Sequence, residues 1–321
     1  MLKSARFDIA RLYDQDQPVT QPDSATGVRA CLNCGAPLTG KFCSSCGQRD
    51  IPAYPTAREM AHDVATELWG WDGRILLSLR TLVRHPGKLS VEFLEGRRAR
   101  YLTPFRLYLI ASVSYFLLAA SAPDVQLDSG ETLMVGLRVG VTATDSARDA
   151  NDPNPGRGGQ ALTAEERAVL MEEIQESPAF LRPLLIKSLD DPAALRRTIF
   201  ATLPKVFFVL LPFFALVTSL FYRGRQFPEH LYVAIHLHAF LFLMLALTEL
   251  AKFTQLPWLV LLVALGTTIS LLVYGELVFR VVYGGKWWTR LLKGAGIAAI
   301  YSVGATVAFL AMLAWISAQL A

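Results

Sequence analysis

The sequence predicts an all-α membrane protein, with about five transmembrane helices preceded by a small four-cysteine head. Hydrophobic residues make up 53% of the 321 residues and charged residues only 18%, which is typical of membrane proteins. The apolar residues are concentrated in long blocks in the C-terminal part of the chain, whereas the four cysteines all lie near the N-terminus. The formal net charge of +4 is too small to indicate a nucleic-acid partner.

The first 30 residues predict a disordered cytosolic tail. They are polar and contain scattered acids and bases together with proline and serine. They have no apolar block of the kind found in a signal peptide. We therefore expect residues 1–30 to be solvated and to precede the first folded unit.

The four cysteines form two Cys-x2-Cys pairs separated by eight residues: Cys31, Cys34, Cys43 and Cys46. Each pair is followed by a glycine, Gly35 or Gly47, which lets the backbone curl so that its amides face the sulfurs. Two such turns can close a tetrahedral shell of four thiolates, the donor set of structural zinc. A segment as short as residues 31–48 cannot build an apolar core, so the metal would supply its folding energy. The spacing predicts a zinc ribbon with four protein ligands and no open position for a substrate.

Two other arrangements of these cysteines remain open: two disulfide bonds, or a pair of redox Cys-x2-Cys motifs. A redox motif sits in a strand–helix context on a larger fold, which this segment lacks. Lys41 and Arg49 could contact an acidic partner or nucleic acid, but two bases hardly make a basic patch. We expect both to be solvated, and we expect the head to contact a cytosolic protein.

Residues 56–100 predict amphipathic juxtamembrane helices. Apolar residues recur every three or four positions, as on one face of a helix: Met60, Val64, Leu68, Trp71, Ile75, Leu79 and Leu82. Pro86, within HPGK, ends this helix. The stripe could lie in the lipid interface, or it could pack against the protein's own membrane helices. A basic cluster then favours a cytoplasmic position for the start of the first apolar block: Arg97, Arg98, Arg100 and Arg106.

Five segments are long enough to cross a hydrocarbon core of about 30 Å: 104–121, 199–222, 229–251, 257–281 and 294–318. They make residues 101–321 a membrane domain with a long insert at 122–198. The insert has eight basic and thirteen acidic residues, a net charge of −5, whereas the rest of the chain has 23 basic and 14 acidic residues, a net charge of +9. Because basic residues accumulate in cytoplasmic loops, we expect a cytoplasmic N-terminus, a periplasmic insert and a periplasmic C-terminus.

The insert contains three local patterns. Alternating apolar residues at 135–141 predict a short strand. Thr163 and Glu166 form a capping-box signature that predicts a helix through about Glu176. Asp191 followed by Pro192 predicts the start of another helix, which runs toward the second span.

The third span carries the candidate residues for chemistry: Glu229, His236 and His238, beside His230. An ionisable group within a span is costly, so it is by default a functional candidate. At about 100° per residue, Glu229 and His236 share one helix face, whereas His236 and His238 face opposite ways. The helix has no histidine pair at i, i+4 spacing and cannot chelate a metal by itself. A proton, metal or ligand site would need groups from other helices, and the candidates are Lys205, Glu276 and Arg280.

The alternative is a structural role for these groups. Neutral histidines can be hydrogen-bonded to neighbouring helices or to backbone carbonyls. Glu229 and His230 could lie in water at the inner boundary, and Glu276 with Arg280, one turn apart, could form an internal ion pair. The sequence contains no nucleophile elbow, no Walker loop and no dinucleotide-binding fingerprint.

Four segments occur in an order that resembles a known family: CLNCGAPLTGKFCSSCGQ, TLVRHPGKLSVEFLEGRRARYLTPFRLYLI, LPKVFFVLLPFFAL and EHLYVAIHLHAF. Over about 31–283 the chain is similar to bacterial multi-pass membrane proteins known only as a domain of unknown function. These proteins carry an N-terminal zinc-ribbon head and an EH…HxH transmembrane helix. The resemblance implies a location in the bacterial inner membrane, and it implies no activity.

Two functions fit these patterns. The favoured one is non-enzymatic: a zinc-stabilised cytosolic head and an interfacial helix recruit or sense a partner, while the five spans anchor them. Its basis is that the strongest motif, the four cysteines, is a closed structural site. The alternative is a membrane enzyme or transporter that uses Glu229, His236 or His238 for proton, metal or ligand handling.

Overall fold

A computed structural model describes residues 29–50, 73–123, 125 and 164–320 of the chain. Three sequence predictions therefore lie wholly or mostly outside the described residues. They are the N-terminal tail, the first part of the amphipathic helix and the short strand at 135–141.

The regular structure of the described residues is helical, apart from two isolated β-bridges in the cysteine head. The helices are α1 Arg74–Arg84, α2 Lys88–Leu94, α3 Pro104–Ser121, α4 Ala164–Glu176, α5 Arg182–Asp190, α6 Pro192–Phe221, α7 Phe227–Lys252, α8 Pro257–Tyr283 and α9 Trp287–Leu320. Five of them, α3, α6, α7, α8 and α9, are long and apolar enough to cross a membrane. The predicted fold class, all-α with five candidate membrane helices behind a four-cysteine cluster, is confirmed.

Local sequence signals set where the long helices begin. A proline occupies the first turn of α3, α6, α7 and α8, where its missing N–H leaves no intrahelical hydrogen bond unmade. At the start of α6 the Asp191 carboxylate also accepts a hydrogen bond from the Ala194 N–H at 2.9 Å. Because this cap lies at Asp191, α6 begins seven residues before the predicted start of the second span at 199. The insert helix predicted from 163 to 176 is confirmed as α4.

Helix α7 is the centre of the bundle. In an 18-residue apolar stretch of α7, 61% is buried inside the protein, compared with 11–33% for the equivalent stretches of the other four candidate spans. Aromatic rings surround Phe242 near the middle of α7, with centroid distances of 5.1 Å to Phe207, 5.5 Å to Tyr115 and 5.6 Å to Tyr108. These rings come from α3 and α6, so the central helix joins the two sides of the bundle through an aromatic layer.

Helices α6 and α9 approach closely because two glycines of α9 receive two phenylalanines of α6. Gly296 faces the ring of Phe221, where an added Cβ would lie 2.8 Å from Cζ, and an added Cβ at Gly304 would overlap the ring of Phe213. Both pairs are spaced by eight residues, which places each pair on one helix face. The close contact between α6 and α9 therefore depends on glycine, which has no side chain, at positions 296 and 304.

Helices α1 and α2 form a hairpin against the membrane helices. The predicted break at Pro86 is confirmed, since α1 ends at Arg84 and α2 begins at Lys88. Gly87 makes the turn with a φ of 82° and lies so close to α8 that an added Cβ would be 3.0 Å from Cβ of Val281.

One face of α1 packs on the protein and the other is exposed. Ser78, Thr81 and Leu82 are buried, and the Tyr274 hydroxyl of α8 donates a hydrogen bond to the Leu82 carbonyl at 2.9 Å. The opposite face exposes Leu76, Leu77, Arg80, Val83 and Arg84. The packing left open by the sequence analysis is thus present, and it leaves an apolar and basic face exposed.

The cysteine head and the described insert helices lie at opposite ends of the bundle. Leu184 of α5 packs with Ile199 near the start of α6 and with Met312 near the end of α9. The α1–α2 hairpin and the head lie at the other end, where α6 and α8 finish and α7 and α9 begin. Therefore α5 shares an end with the C-terminus of α9.

We predict that Gly304→Ala lowers the stability of the protein by about 1–3 kcal/mol, because the new methyl group overpacks the contact with Phe213. The measurement is the thermal unfolding midpoint of the detergent-solubilised protein. Gly294→Ala is the matched control, since an added Cβ there meets nothing within 4 Å. An unfolding midpoint for Gly304→Ala equal to that of the control would contradict the close packing of α6 and α9.

Candidate metal centre and the polar groups of the third span

The backbone of the head is built from two copies of one turn, related by a shift of twelve residues. In each copy the N–H of the first cysteine donates to a carbonyl five residues on, and the glycine N–H donates back to the first cysteine's carbonyl. These bonds are Cys31 to Ala36 at 2.8 Å and Gly35 to Cys31 at 2.8 Å, then Cys43 to Gln48 at 2.8 Å and Gly47 to Cys43 at 2.9 Å. Gly35 and Gly47 have φ values of 75° and 73°. The glycines thus supply the left-handed backbone that each turn requires.

The two turns bring the four cysteine sulfurs together. All four Sγ atoms lie within 4.8 Å of one another, with 3.6 Å between Cys31 and Cys46 and 3.5 Å between Cys34 and Cys43. Zinc–sulfur bonds of about 2.3 Å in a tetrahedron place sulfurs about 3.8 Å apart, so this cluster fits a four-thiolate metal site. The sulfur–sulfur distances of 3.6 and 3.5 Å are well beyond the disulfide bond length of about 2.05 Å, which disfavours the disulfide alternative.

The thiols of the two pairs are held in different electrostatic environments. The backbone N–H groups of Cys46 and Ser45 point at the sulfur of Cys43 and lower its pKa to about 7. Burial raises the pKa of Cys31 to about 12 because it disfavours the thiolate. A cation at the centre of the cluster would offset the cost of burying that thiolate, and its binding would release protons.

The structure of the loop after α2 shows roles for residues of the EGRR stretch, residues 95–98. Gly96, with a φ of 81°, closes α2 by donating its N–H to the Phe93 carbonyl at 3.3 Å, while Arg97 N–H donates to the Glu92 carbonyl at 2.8 Å. The Arg97 guanidinium then donates two hydrogen bonds to the buried Glu92 carboxylate, at 2.8 and 3.1 Å. Burial of this charge is thus compensated by a bidentate pair, which raises the pKa of Arg97 further.

Gln48 was not singled out by the sequence, yet its side chain makes polar contacts between the head and this loop. Its amide nitrogen donates to the Gly96 carbonyl at 2.7 Å, and its amide oxygen accepts from the N–H groups of Arg98 at 3.0 Å and Ala99 at 3.1 Å. The one available signal was its place directly after the second Cys-x2-Cys-Gly turn.

His236 and His238 face opposite sides of α7, as the helix geometry predicted. His236 Nδ1 is hydrogen-bonded to the Ser90 hydroxyl of α2 at 2.9 Å. His238 Nδ1 lies 2.8 Å from the Ala234 carbonyl and its Nε2 lies 2.7 Å from the Tyr301 hydroxyl of α9. Because a carbonyl can only accept, Nδ1 of His238 carries the proton and Nε2 accepts from Tyr301 in the neutral ring.

Glu229 and His230 are buried, which corrects the expectation that they lie in water. The exposed fraction is 5% for Glu229 and 0% for His230. Arg225 pairs with Glu229 at 3.1 Å and also donates to the Val282 carbonyl at 2.9 Å. His230 Nδ1 is bonded to the Tyr283 hydroxyl at 2.8 Å and its ring stacks on that of Tyr283. The short connection between α6 and α7 is thereby tied to the end of α8.

The groups expected on other helices do not join the histidines. Lys205 is exposed on α6. Glu276 is bonded to Arg290 of α9 at 2.6 and 3.0 Å, so the expected ion pair with Arg280 is wrong. The reason is that α9 begins at Trp287, seven residues before the predicted start of the fifth span, and brings Arg290 beside α8. Among the described residues the four cysteines are the cluster whose ligand atoms converge on one point.

The other end of α7 carries a buried ion pair that the sequence analysis missed. Lys252 and Glu249 are 2.6 Å apart, and both are almost fully buried. The i, i+3 spacing was the available signal, but the predicted third span, 229–251, ended one residue before Lys252. Thr248 beside them is bonded to Thr267 of α8 at 3.0 Å. The aromatic layer around Phe242 lies between these groups and His238, so α7 has two polar ends separated by packed rings.

Comparison with known proteins gives a family match over one segment of the chain and no activity. Residues 72–116, which run from just before α1 into the second half of α3, match the family described as "Protein of unknown function (DUF3667)". No match was found among curated proteins or among solved structures. The matched segment contains the HPG turn, the Gly96 cap and the Glu92–Arg97 pair. The resemblance to a family of unknown function is therefore confirmed for this segment, and the five apolar helices and the four-cysteine cluster near the N-terminus agree with the expected architecture.

Proposed function

We propose that this multi-pass membrane protein is a non-enzymatic scaffold or sensor of the bacterial inner membrane, which recruits a cytosolic protein through a zinc-stabilised head. The observation that carries the proposal is the convergence of four cysteine sulfurs into a closed donor set. A metal with four protein ligands has no position left for a substrate, so its role is to fold the head.

Zinc is the metal that this donor set favours. Four thiolates in a tetrahedron suit zinc or an iron–sulfur cluster, and two Cys-x2-Cys turns with sulfurs about 3.5 Å apart leave space for one ion. Beside Cys31 and Cys43, the described head buries Asn33 and no large apolar side chain. The ion therefore replaces the missing core.

The surface of the head also supports a protein partner. Phe42, in the second turn, is exposed by 61%, while Leu32 and Gln48 face the α2–α3 loop. An exposed phenylalanine beside Lys41 offers an apolar anchor with a basic neighbour. Nucleic acid is disfavoured because the head lacks a basic face.

The lipid bilayer is the second proposed partner. The exposed face of α1 combines Leu76, Leu77 and Val83 with Arg80 and Arg84. Such a face suits the interface between acyl chains and anionic headgroups. We propose that α1 lies in the inner leaflet with its other face packed on α3 and α7.

We expect the Cys34→Ser and Cys46→Ser variants of the full chain to lose their zinc, from about one ion per chain to almost none, because each loses a ligand. They should also lose the proteins that co-purify with the wild-type chain, whereas membrane insertion should persist. Phe42→Ala should lose those proteins while keeping its zinc, and Ser44→Ala is the matched control in the same turn. Co-purification that is unchanged after zinc loss would refute recruitment by the head.

The proposed orientation has the head in the cytoplasm and the C-terminus in the periplasm. Basic residues accumulate at the head's end of the bundle, among them Arg223, Arg225, Lys286, Arg290 and Lys293. The described insert helices follow one membrane crossing and the C-terminus follows five, so both should lie on the side opposite the head. In agreement, α5 packs beside the C-terminal end of α9. A reporter fused after the last residue should therefore be active if it requires the periplasm and inactive if it requires the cytosol. The reverse result would overturn the orientation.

A transporter or membrane enzyme is the second candidate, and a specific observation favours it. Nε2 of His230 and Nε2 of His236 are buried without a hydrogen-bond partner among the described residues. A buried polar atom without a partner is costly and is a place where a proton, metal or ligand could bind.

Substitution of the histidines discriminates between the two candidates. If they are structural, His236→Ala and His238→Ala lower the abundance of the protein, because each leaves a buried hydroxyl of Ser90 or Tyr301 unpaired. His238→Ala should have the larger effect because it loses two hydrogen bonds. Normal abundance together with loss of the cellular phenotype would favour the transporter or enzyme. Protein level is measured by quantitative immunoblotting of membranes.

A further inference from the structure

The head contacts the membrane domain through a side chain that satisfies three backbone groups. Gln48 bonds the carbonyl of Gly96 and the N–H groups of Arg98 and Ala99, all in the α2–α3 loop of residues 95–103. A loop that lies between two helices otherwise leaves such groups to water. The distances of 2.7–3.1 Å are those of well-formed hydrogen bonds.

The first turn of the head touches the same loop. A Cβ added at Gly96 would lie 2.6 Å from Leu32 Cδ1 and 3.2 Å from Leu32 Cβ, so the loop backbone lies directly against this side chain. Leu32 lies inside the first Cys-x2-Cys turn, and Gln48 follows the second turn. The positions of both contacts are therefore set by the sulfur cluster that holds the two turns together.

The α2–α3 loop is bonded to α2, and α2 in turn contacts the membrane helix α7. The Gly96 cap and the Glu92–Arg97 pair fix the loop to the end of α2. On the other side of α2, Ser90 is bonded to His236, and the Phe93 ring lies 5.8 Å from the rings of Tyr232 and His236. Helix α2 is thus the element between the head and the central helix α7.

We propose that the metal-loaded head is a clamp: it holds the α2–α3 loop and α2 against α7, and loss of the metal releases them. Without the ion the two turns have no core to keep Leu32 and Gln48 in place. The side chain of Gln48 then regains its conformational freedom, and the three backbone groups of the loop exchange with water. The metal state of the head is in this way transmitted to α2 and to the Ser90–His236 contact.

Thermodynamic coupling between metal binding and loop docking predicts a second measurable effect. If metal binding favours the docked loop, the docked loop must favour metal binding by the same factor. Removal of the Gln48 amide should therefore weaken metal binding, although Gln48 is not a metal ligand. A head that merely folds beside the loop would show no such coupling.

The experiment uses the full chain in lipid nanodiscs and limited trypsin digestion at Arg97, Arg98 and Arg100. With zinc bound, the docked loop should resist cleavage, and a zinc chelator should accelerate cleavage about tenfold or more. Hydrogen exchange of the peptide that covers residues 88–102 should increase in parallel. Unchanged cleavage and unchanged exchange after chelation would overturn the clamp.

Gln48→Ala tests the residue itself. At saturating zinc this variant should retain the ion, and its α2–α3 loop should be cleaved as fast as that of the zinc-free wild type. Its zinc affinity should fall by the same factor by which chelation accelerates cleavage of the wild type. Gln48→Glu keeps the acceptor for Arg98 and Ala99 but loses the donor to Gly96. Its cleavage rate should therefore lie between the rates of the zinc-bound wild type and of Gln48→Ala. Ser44→Ala is the control and should match the wild type. Wild-type protection of the loop in Gln48→Ala, or an unchanged zinc affinity, would refute the proposal.

Discussion

A polar group inside a bilayer has to find its partner within the protein, and this constraint shapes the whole membrane domain. It accounts for the pairing of Glu229 with Arg225, Glu276 with Arg290, and Glu249 with Lys252. Lys293 follows the same rule by donating to the Phe221 carbonyl at the end of α6 while it lies over the Tyr222 ring. Glu249 and Lys252 pair within α7, whereas the other contacts join a helix to a connection or to another helix, so satisfaction of buried charge also contributes to which helices are neighbours.

The head solves the opposite problem, because it has too few residues to form a core in water. Its duplicated turn supplies backbone amides to the sulfurs, and a metal ion held by the four cysteines would replace the apolar interior. The same turns place Leu32 and Gln48 against the α2–α3 loop. The four-cysteine cluster and the family-matched segment at 72–116 are therefore in direct contact, even though their contacting residues are 48 to 64 positions apart in the chain.

The distribution of polar groups on α7 bears on function. Glu229, His230, His236 and His238 lie toward one end and Glu249 with Lys252 at the other, and the rings around Phe242 separate them. A proton or ion path along α7 would have to cross this aromatic layer. In the described part of the chain, the two histidine nitrogens without a hydrogen-bond partner, Nε2 of His230 and Nε2 of His236, lie on the same side of this layer as Glu229.

Local patterns in the sequence determined the elements of this protein. Composition predicted the five membrane helices, doubled Cys-x2-Cys spacing predicted the metal cluster, and Pro86 and Asp191–Pro192 predicted helix ends, because each signal acts over a few residues. The opposite orientation of His236 and His238 also followed from helix geometry alone. The tertiary structure decided the partners: Arg290 rather than Arg280 for Glu276, Tyr301 for His238, Ser90 for His236 and the α2–α3 loop for Gln48. Such pairs join residues far apart in the chain, and they depend on how helices rotate and pack, which no local spacing encodes.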